Sequence, residues 1–174
     1  GFYAFLPDHT GNVGMYSMAN EPSLHIPYLY NYAGQPWKTQ KRVRSLLDQW
    51  FRNDVMGVPG DEDGGGMSAF VVFSMMGFYP VTPGMPVYNV GSPVFSRIQM
   101  DLGGGKQLEI VADGASAENK YIQSATLNGK PLDRCWFEHE AITQGGVLHL
   151  QMGPKANREW GIVTPPPSAE GLPE

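Results

Sequence analysis

The chain has 174 residues, 17 acidic against 12 basic side chains and a net charge of −5, and no run of Lys or Arg is longer than the pair Lys41-Arg42; this excludes the basic surface that a nucleic-acid partner would demand. A single cysteine, Cys135, allows no internal disulfide and no zinc pattern, so a buried, inert thiol is expected there. No apolar run approaches the roughly 18 residues of a membrane span, no signal peptide is evident, and the apolar start Gly1-Phe2-Tyr3-Ala4-Phe5-Leu6 reads as the middle of something larger.

From Gly1 to about Asn20 there is little periodicity, with Pro7-Asp8-His9-Thr10-Gly11-Asn12 as a turn. A short aromatic helix is expected from Leu24 to Ala33, capped by Asn20 or Ser23 and stopped at Gly34; Pro27 is tolerable only in its first turn. The clearest helix follows. Val43, Leu46, Leu47, Trp50 and Phe51 lie on one face, and Lys41, Arg42, Arg44, Asp48 and Arg52 are expected on the other, with Gly57 and Pro59 ending it. A third helix, Met67 to Met76, is apolar almost all round, which suits the inside of a larger helical assembly.

After Gly77-Phe78-Tyr79-Pro80 the texture changes. A stiff connector with Pro80, Pro83, Gly84 and Pro86 leads into six runs of β character: Val87 to Val90, Ser96 to Leu102, Gln107 to Ala112, Tyr121 to Leu127, Leu132 to Glu138 and Val147 to Met152. Asn128-Gly129 is the sharpest turn signal, because a two-residue hairpin needs φ > 0 at both positions. The expected fold class is α+β, helices followed by a small antiparallel β-sandwich-like domain. Its parts are residues 1–79, 80–163 and a Pro-rich tail at 164–174.

The costliest stretch to fold is Pro59-Gly60-Asp61-Glu62-Asp63-Gly64-Gly65-Gly66, which enters the third helix directly. Adjacent carboxylates repel, and glycines lose the most backbone entropy on ordering. In an extended loop Asp61 and Asp63 would share one face, as a hard-cation site or as a water-orienting and proton-accepting pair. The plainer alternative is a solvated acidic turn capping a helix. Neither an EF-hand nor a phosphate loop fits the spacing. Counting from Asp61, the fifth and twelfth positions are Gly65 and Val72, and Met67 follows the glycines where a phosphate loop needs Lys.

Taken in order, Asn20-Glu21-Pro22-Ser23, Tyr28-Leu29-Tyr30-Asn31-Tyr32-Ala33-Gly34-Gln35-Pro36-Trp37-Lys38-Thr39-Gln40, Gly60-Asp61-Glu62-Asp63-Gly64-Gly65, Met67-Ser68-Ala69 and Gly77-Phe78-Tyr79-Pro80 resemble glycoside hydrolase family 92. The likeness continues through Gly91-Ser92-Pro93, Asn119-Lys120-Tyr121-Ile122, Leu127-Asn128-Gly129-Lys130 and Trp160-Gly161. The resemblance implies a calcium-dependent, inverting exo-α-mannosidase, of α-1,2 preference, acting on mannose-containing glycans outside the cytoplasm, periplasmic or secreted. It implies that this chain holds the terminal helices of an (α/α)6 barrel and the β-portion behind them. Asp63 would be the general base with Asp61 assisting, and Asn20 and Glu21 would belong to the calcium shell. Glu21, His25 and Glu62 are the substrate-binding candidates.

Inversion sets an acid and a base on opposite faces of the sugar, roughly 6.5–9.5 Å apart. Asp61 and Asp63 are too close in sequence to be that opposed pair, so they read as the base half. In the family the acid is a Glu upstream of the Asn-Glu-Pro motif, so this chain alone is expected to be an incomplete enzyme whose partner is the remaining N-terminal part. One departure bears on linkage: many members carry His-Gly before the motif and His after its Ser, whereas Met18-Ala19 and Leu24 stand here. The competing reading is a non-catalytic carbohydrate-binding module, whose site would be an aromatic platform; Trp37 is its best candidate.

Overall fold

The computed structural model describes residues 12–13, 16–60 and 62–168. A two-residue ladder, β1 (Asn12–Val13) with β2 (Tyr16–Ser17), precedes two 3-10 turns, Glu21–Ser23 and Ile26–Tyr28, and the four-residue helix α1 (Leu29–Tyr32). The single helix expected from Leu24 to Ala33 is thus broken. Pro22 and Pro27 each sit in the opening positions of a 3-10 turn, where a residue without an N–H is tolerated, and regular helix starts only after both are passed. Helix α2 (Pro36–Trp50) and helix α3 (Gly66–Met76) follow, α3 within one residue of its expected span and α2 starting well before its apolar stripe.

The strands are β3 (Phe78–Tyr79), β4 (Val87–Val90), β5 (Arg97–Gly103), β6 (Lys106–Asp113), β7 (Tyr121–Leu127), β8 (Lys130–Pro131), β9 (Trp136–Glu138) and β10 (Gly146–Gly153). They form a five-stranded sheet in the order β5-β6-β10-β7-β8 and a three-stranded sheet in the order β3-β4-β9. The expectation of an antiparallel domain needs one correction: β10 runs parallel to β6, Leu148 opposite Ile110, while every other ladder of these two sheets is antiparallel. The last strand inserts between β6 and β7, and entering that slot antiparallel to β7 fixes its direction relative to β6. The run from Leu132 to Glu138 also proves to be two things. Its start leaves the hairpin, and only Trp136–Glu138 is strand, paired with β4 in the smaller sheet.

The β half follows the pleat. Leu108, Ile110 and Ala112 on β6 face Leu148, Leu150 and Met152 on β10, all buried, at the period of two that puts alternate side chains on one face. On β7 the buried positions are Ile122 and Ala125, three apart. The register shift between Gln151 and Met152 explains this, since Ser124 pairs with Gln151 and Ile122 with Met152, leaving Gln123 as the extra residue of a bulge. The Asn128-Gly129 turn has φ of 52° and 76°, the two left-handed positions that a two-residue hairpin demands.

The helical half has its own core, in which Val43, Leu46 and Leu47 of α2 pack with Met67 and Phe70 of α3 and with Met18, Leu24 and Tyr28. The two halves meet across a polar seam. The Asn31 amide donates to Asn89 Oδ1, the Val90 carbonyl and the Cys135 carbonyl at 3.2, 3.1 and 3.4 Å. Gln40 accepts from the Ile122 amide beside the bulge at 3.1 Å. Arg44, expected on the solvated face of its helix, is instead 4 % exposed and donates to the carbonyls of Pro93 and Ser116 at 2.8 and 2.9 Å. Backbone groups of loops would otherwise be buried unpaired there, and a long cationic fork satisfies two at once. Burial depresses the Arg44 guanidinium below its ordinary range, with Asp48 opposing that shift.

Candidate functional site

The sequence Asn20-Glu21-Pro22-Ser23 folds as a tight turn because each end is anchored. Asn20 is extended, at φ −137° and ψ 124°, and its carbonyl accepts from the Ser23 amide at 2.9 Å. Met18 and Ala19 before it and Leu24 after it are buried. The Tyr16 hydroxyl donates to the Ser23 carbonyl at 3.2 Å, and burial, with Tyr79 nearby, pushes that hydroxyl far above its ordinary 10.0. The turn therefore presents Asn20 and Glu21 from a fixed base.

The acidic loop is brought onto this turn at two places by glycine. At Gly60, φ is +71°, and a Cβ there would lie 2.4 Å from the Ala19 carbonyl oxygen and 2.6 Å from the Ala19 Cβ. Only a residue without a side chain admits this approach. At Gly66, the first residue of α3, a Cβ would lie 3.1 Å from Glu21 Cγ, so the Glu21 side chain passes directly over the start of the helix. Asn20-Glu21 and residues 60–66, far apart in sequence, thus make one locus, and the positive end of α3 adjoins the Glu21 carboxylate.

Within the loop Glu62 spends its carboxylate on the helix start. Glu62 Oε1 accepts from the Ser68 amide at 3.1 Å and Oε2 from the Ser68 hydroxyl at 3.0 Å. Asp63 is exposed and left-handed, at φ 44°, and Gly64 and Gly65 follow at 68° and 97°. A non-glycine residue pays roughly 1–2 kcal/mol for that conformation. Asp61 lies outside the described residues. His25 is half-buried one turn beyond Glu21, where its carbonyl accepts from the Tyr28 amide at 2.9 Å.

Among the described residues no group of three or more carboxylate, His or Cys side chains is placed to hold a metal ion; the Asn20 amide oxygen and the Glu21 carboxylate presented by this turn are oxygen donors. That chemistry fits a hard divalent cation such as calcium and not zinc. The aromatic alternative fares differently. Trp136 is 7 % exposed and stacked by the Arg134 guanidinium at 3.9 Å, Trp160 is 6 % exposed and donates to the Leu132 carbonyl, and Trp37 faces the Arg158 guanidinium at 5.9 Å. Trp50 packs against the helical core. Trp50, Trp136 and Trp160 are thus engaged by the protein itself, while Trp37 is half-buried. Sequence reasoning named the Met67-Ser68-Ala69 motif but not the use of Ser68, nor the contacts of Gly60 and Gly66. A serine at the third position of a helix, six residues after a glutamate, is the signal that was available.

The comparisons place this arrangement of helices, acidic loop and two sheets in a family. The family model described as the glycosyl hydrolase family 92 catalytic domain matches residues 3–154, and the chain belongs to that family. It is similar to the family GH92 α-mannosidase BT3965 from Bacteroides thetaiotaomicron, solved in complex with mannoimidazole, at 37 % identity and a TM-score of 0.89 over 93 % of this chain and 22 % of that one. It is similar also to the family GH92 inverting mannosidase BT2199 from Bacteroides thetaiotaomicron, at 44 % identity and a TM-score of 0.77, over 82 % of this chain and 19 % of that one. A secreted glycosidase of Arthroderma benhamiae is 38 % identical over 157 residues, which are 88 % of this chain and 20 % of that protein. The chain thus spans about a fifth of the length of these relatives.

Proposed function

We propose that this chain is the base-bearing part of a secreted or periplasmic, calcium-dependent, inverting exo-α-mannosidase that removes terminal α-1,2-linked mannose from glycans. The observation that carries the reading is the seating of the acidic loop on the Asn20-Glu21 turn through Gly60 and Gly66. Asp63, with Asp61 beside it, holds a water and takes its proton as the water oxygen bonds to the anomeric carbon and the bond to the leaving oxygen breaks. The acid that protonates the leaving oxygen comes from the remainder of the enzyme, which also completes the (α/α)6 barrel.

Asn20 and Glu21 would hold the calcium, and Glu21, His25 and Glu62 line the sugar's approach. When bound, calcium supplies positive charge against these carboxylates and a grip for vicinal sugar hydroxyls. The apolar residues that the helical half leaves in solvent, among them Ile26, Leu29, Met56 and Val72, are the surface that the rest of the barrel covers. A groove of about 470 Å³ between α1 and α2, lined by Tyr16, Ile26, Leu29, Tyr30 and Leu46, is part of that contact.

The test uses the full-length enzyme that carries this segment. Mannose release from an α-1,2-mannobioside is expected to fall about 1,000-fold in kcat on Asp63→Asn, with KM held within about threefold, since general-base assistance contributes of that order. A chelator is expected to stop the wild type. An Asp63→Asn enzyme that turns over at the wild-type rate would remove the base assignment.

A further inference from the structure

We infer that Ser68 is a positioning residue for the hydrolysis, acting through Glu62 to hold the segment that carries Asp63. The inference rests on the reading of Asp63 as the base and adds a role for a residue outside the reacting groups. Residues 63 to 65 are three successive left-handed positions, one of them not glycine. Such a segment relaxes unless its ends are tied.

The tie is double and crosses the segment. Glu62, on one side, accepts from both the amide and the hydroxyl of Ser68, on the other, at 3.1 and 3.0 Å. The Met67 amide also reaches back to the Glu62 carbonyl at 3.5 Å. The carboxylate passes 4.0 Å from where a Cβ on Gly65 would stand, so the clasp lies close over the loop it closes. A charged acceptor at the third N–H of a helix gains from the helix dipole, and its two oxygens fix direction as well as distance. Removing the Ser68 hydroxyl leaves one bond in place of two, and the loop then pivots about the remaining contact.

A catalytic carboxylate displaced by about 1 Å can cost on the order of 100-fold, so an effect on kcat is expected that binding does not share. In the full-length enzyme Ser68→Ala is expected to lower kcat about tenfold with KM within about twofold, and Ser68→Thr, which keeps the hydroxyl, to restore kcat to within about threefold of the wild type. Glu62→Ala is expected to lower kcat at least as much. Adding Ser68→Ala to it should then change kcat by less than about twofold, because the two residues act as a unit. Amide exchange across residues 63–68 should quicken in Ser68→Ala while the thermal midpoint of the enzyme stays put.

Wild-type kcat in Ser68→Ala would overturn the inference, as would losses that multiply in the double variant or a Ser68→Thr enzyme no better than Ser68→Ala. The two failures are separable. If Asp63→Asn abolishes turnover while Ser68→Ala is silent, the base stands and the clasp falls; if Asp63→Asn is silent, both fall.

Discussion

The two halves of this chain solve opposite problems. The β half buries Leu108, Ile110, Leu148 and Leu150 between its own layers and closes its turns with Asn128-Gly129 and Gly103-Gly104-Gly105. The helical half leaves Val72 of α3 and Ile26, Leu29 and Met56 in solvent, and at its edge keeps a left-handed aspartate. One half spends its sequence on stability; the other holds an arrangement that a chain selected for stability alone would relax. Asn31, Gln40 and Arg44 join the two halves, while the strained loop is tied to the start of its own helix α3 through Glu62 and Ser68.

This contrast can be broken first in the sheet. Leu150→Ala in the full-length enzyme is expected to cost about 3 kcal/mol, the range for a fully buried leucine whose cavity cannot collapse. Denaturant unfolding would measure it, and kcat per folded molecule should be unchanged. Gly60→Ala tests the other half. The added methyl meets the Ala19 carbonyl in a conformation that alanine resists, so kcat is expected to fall about thirtyfold, with little change in the unfolding midpoint of the β half. Equal damage to both readouts would erase the division.

Smaller effects sharpen it. Asn128→Ala loses asparagine's tolerance of the left-handed φ of 52° together with bonds to the Ala141 carbonyl and from the Val147 amide at 2.9 Å; a cost of about 1–2 kcal/mol is expected in thermal unfolding, without loss of activity at 25 °C. The smallest effect is alkaline. Burial pushes the Cys135 thiol from 9.0 up to about 12. The folded chain therefore keeps a proton that the unfolded chain sheds, and the contribution is complete below pH 9 and is lost as pH rises towards 12. Urea midpoints at pH 8.5 and 10 should show the wild type losing more stability than Cys135→Ala, by about 1 kcal/mol.

The strands were legible because runs of β-branched and aromatic residues lie between clear turn signals; Val87–Val90 and Tyr121–Leu127 are read to the residue. What such runs cannot carry is which strand fills which slot, so the parallel β6–β10 pair, set by a strand arriving last, was missed. The helix read over Leu24 to Ala33 is regular only from Leu29, because Pro27 keeps Ile26–Tyr28 in a 3-10 turn. Arg44 was misread because a charged residue on a polar face looks solvated until the loops above it are known. In the site, the residue types and motif order were visible, but the convergence depends on two absent side chains, at Gly60 and Gly66, and an absence has no periodicity.

The central claim is that the Asn20-Glu21 turn and the acidic loop form one site with divided duties. Its most direct test is mannose release by the full-length enzyme as a function of calcium concentration, with Glu21→Gln and Asp63→Asn side by side. The account predicts that Glu21→Gln raises the calcium needed for half-maximal activity about tenfold or more, while Asp63→Asn leaves that concentration within about threefold and collapses the rate at saturation. A Glu21→Gln enzyme with the wild-type calcium dependence and the wild-type maximal rate would contradict it.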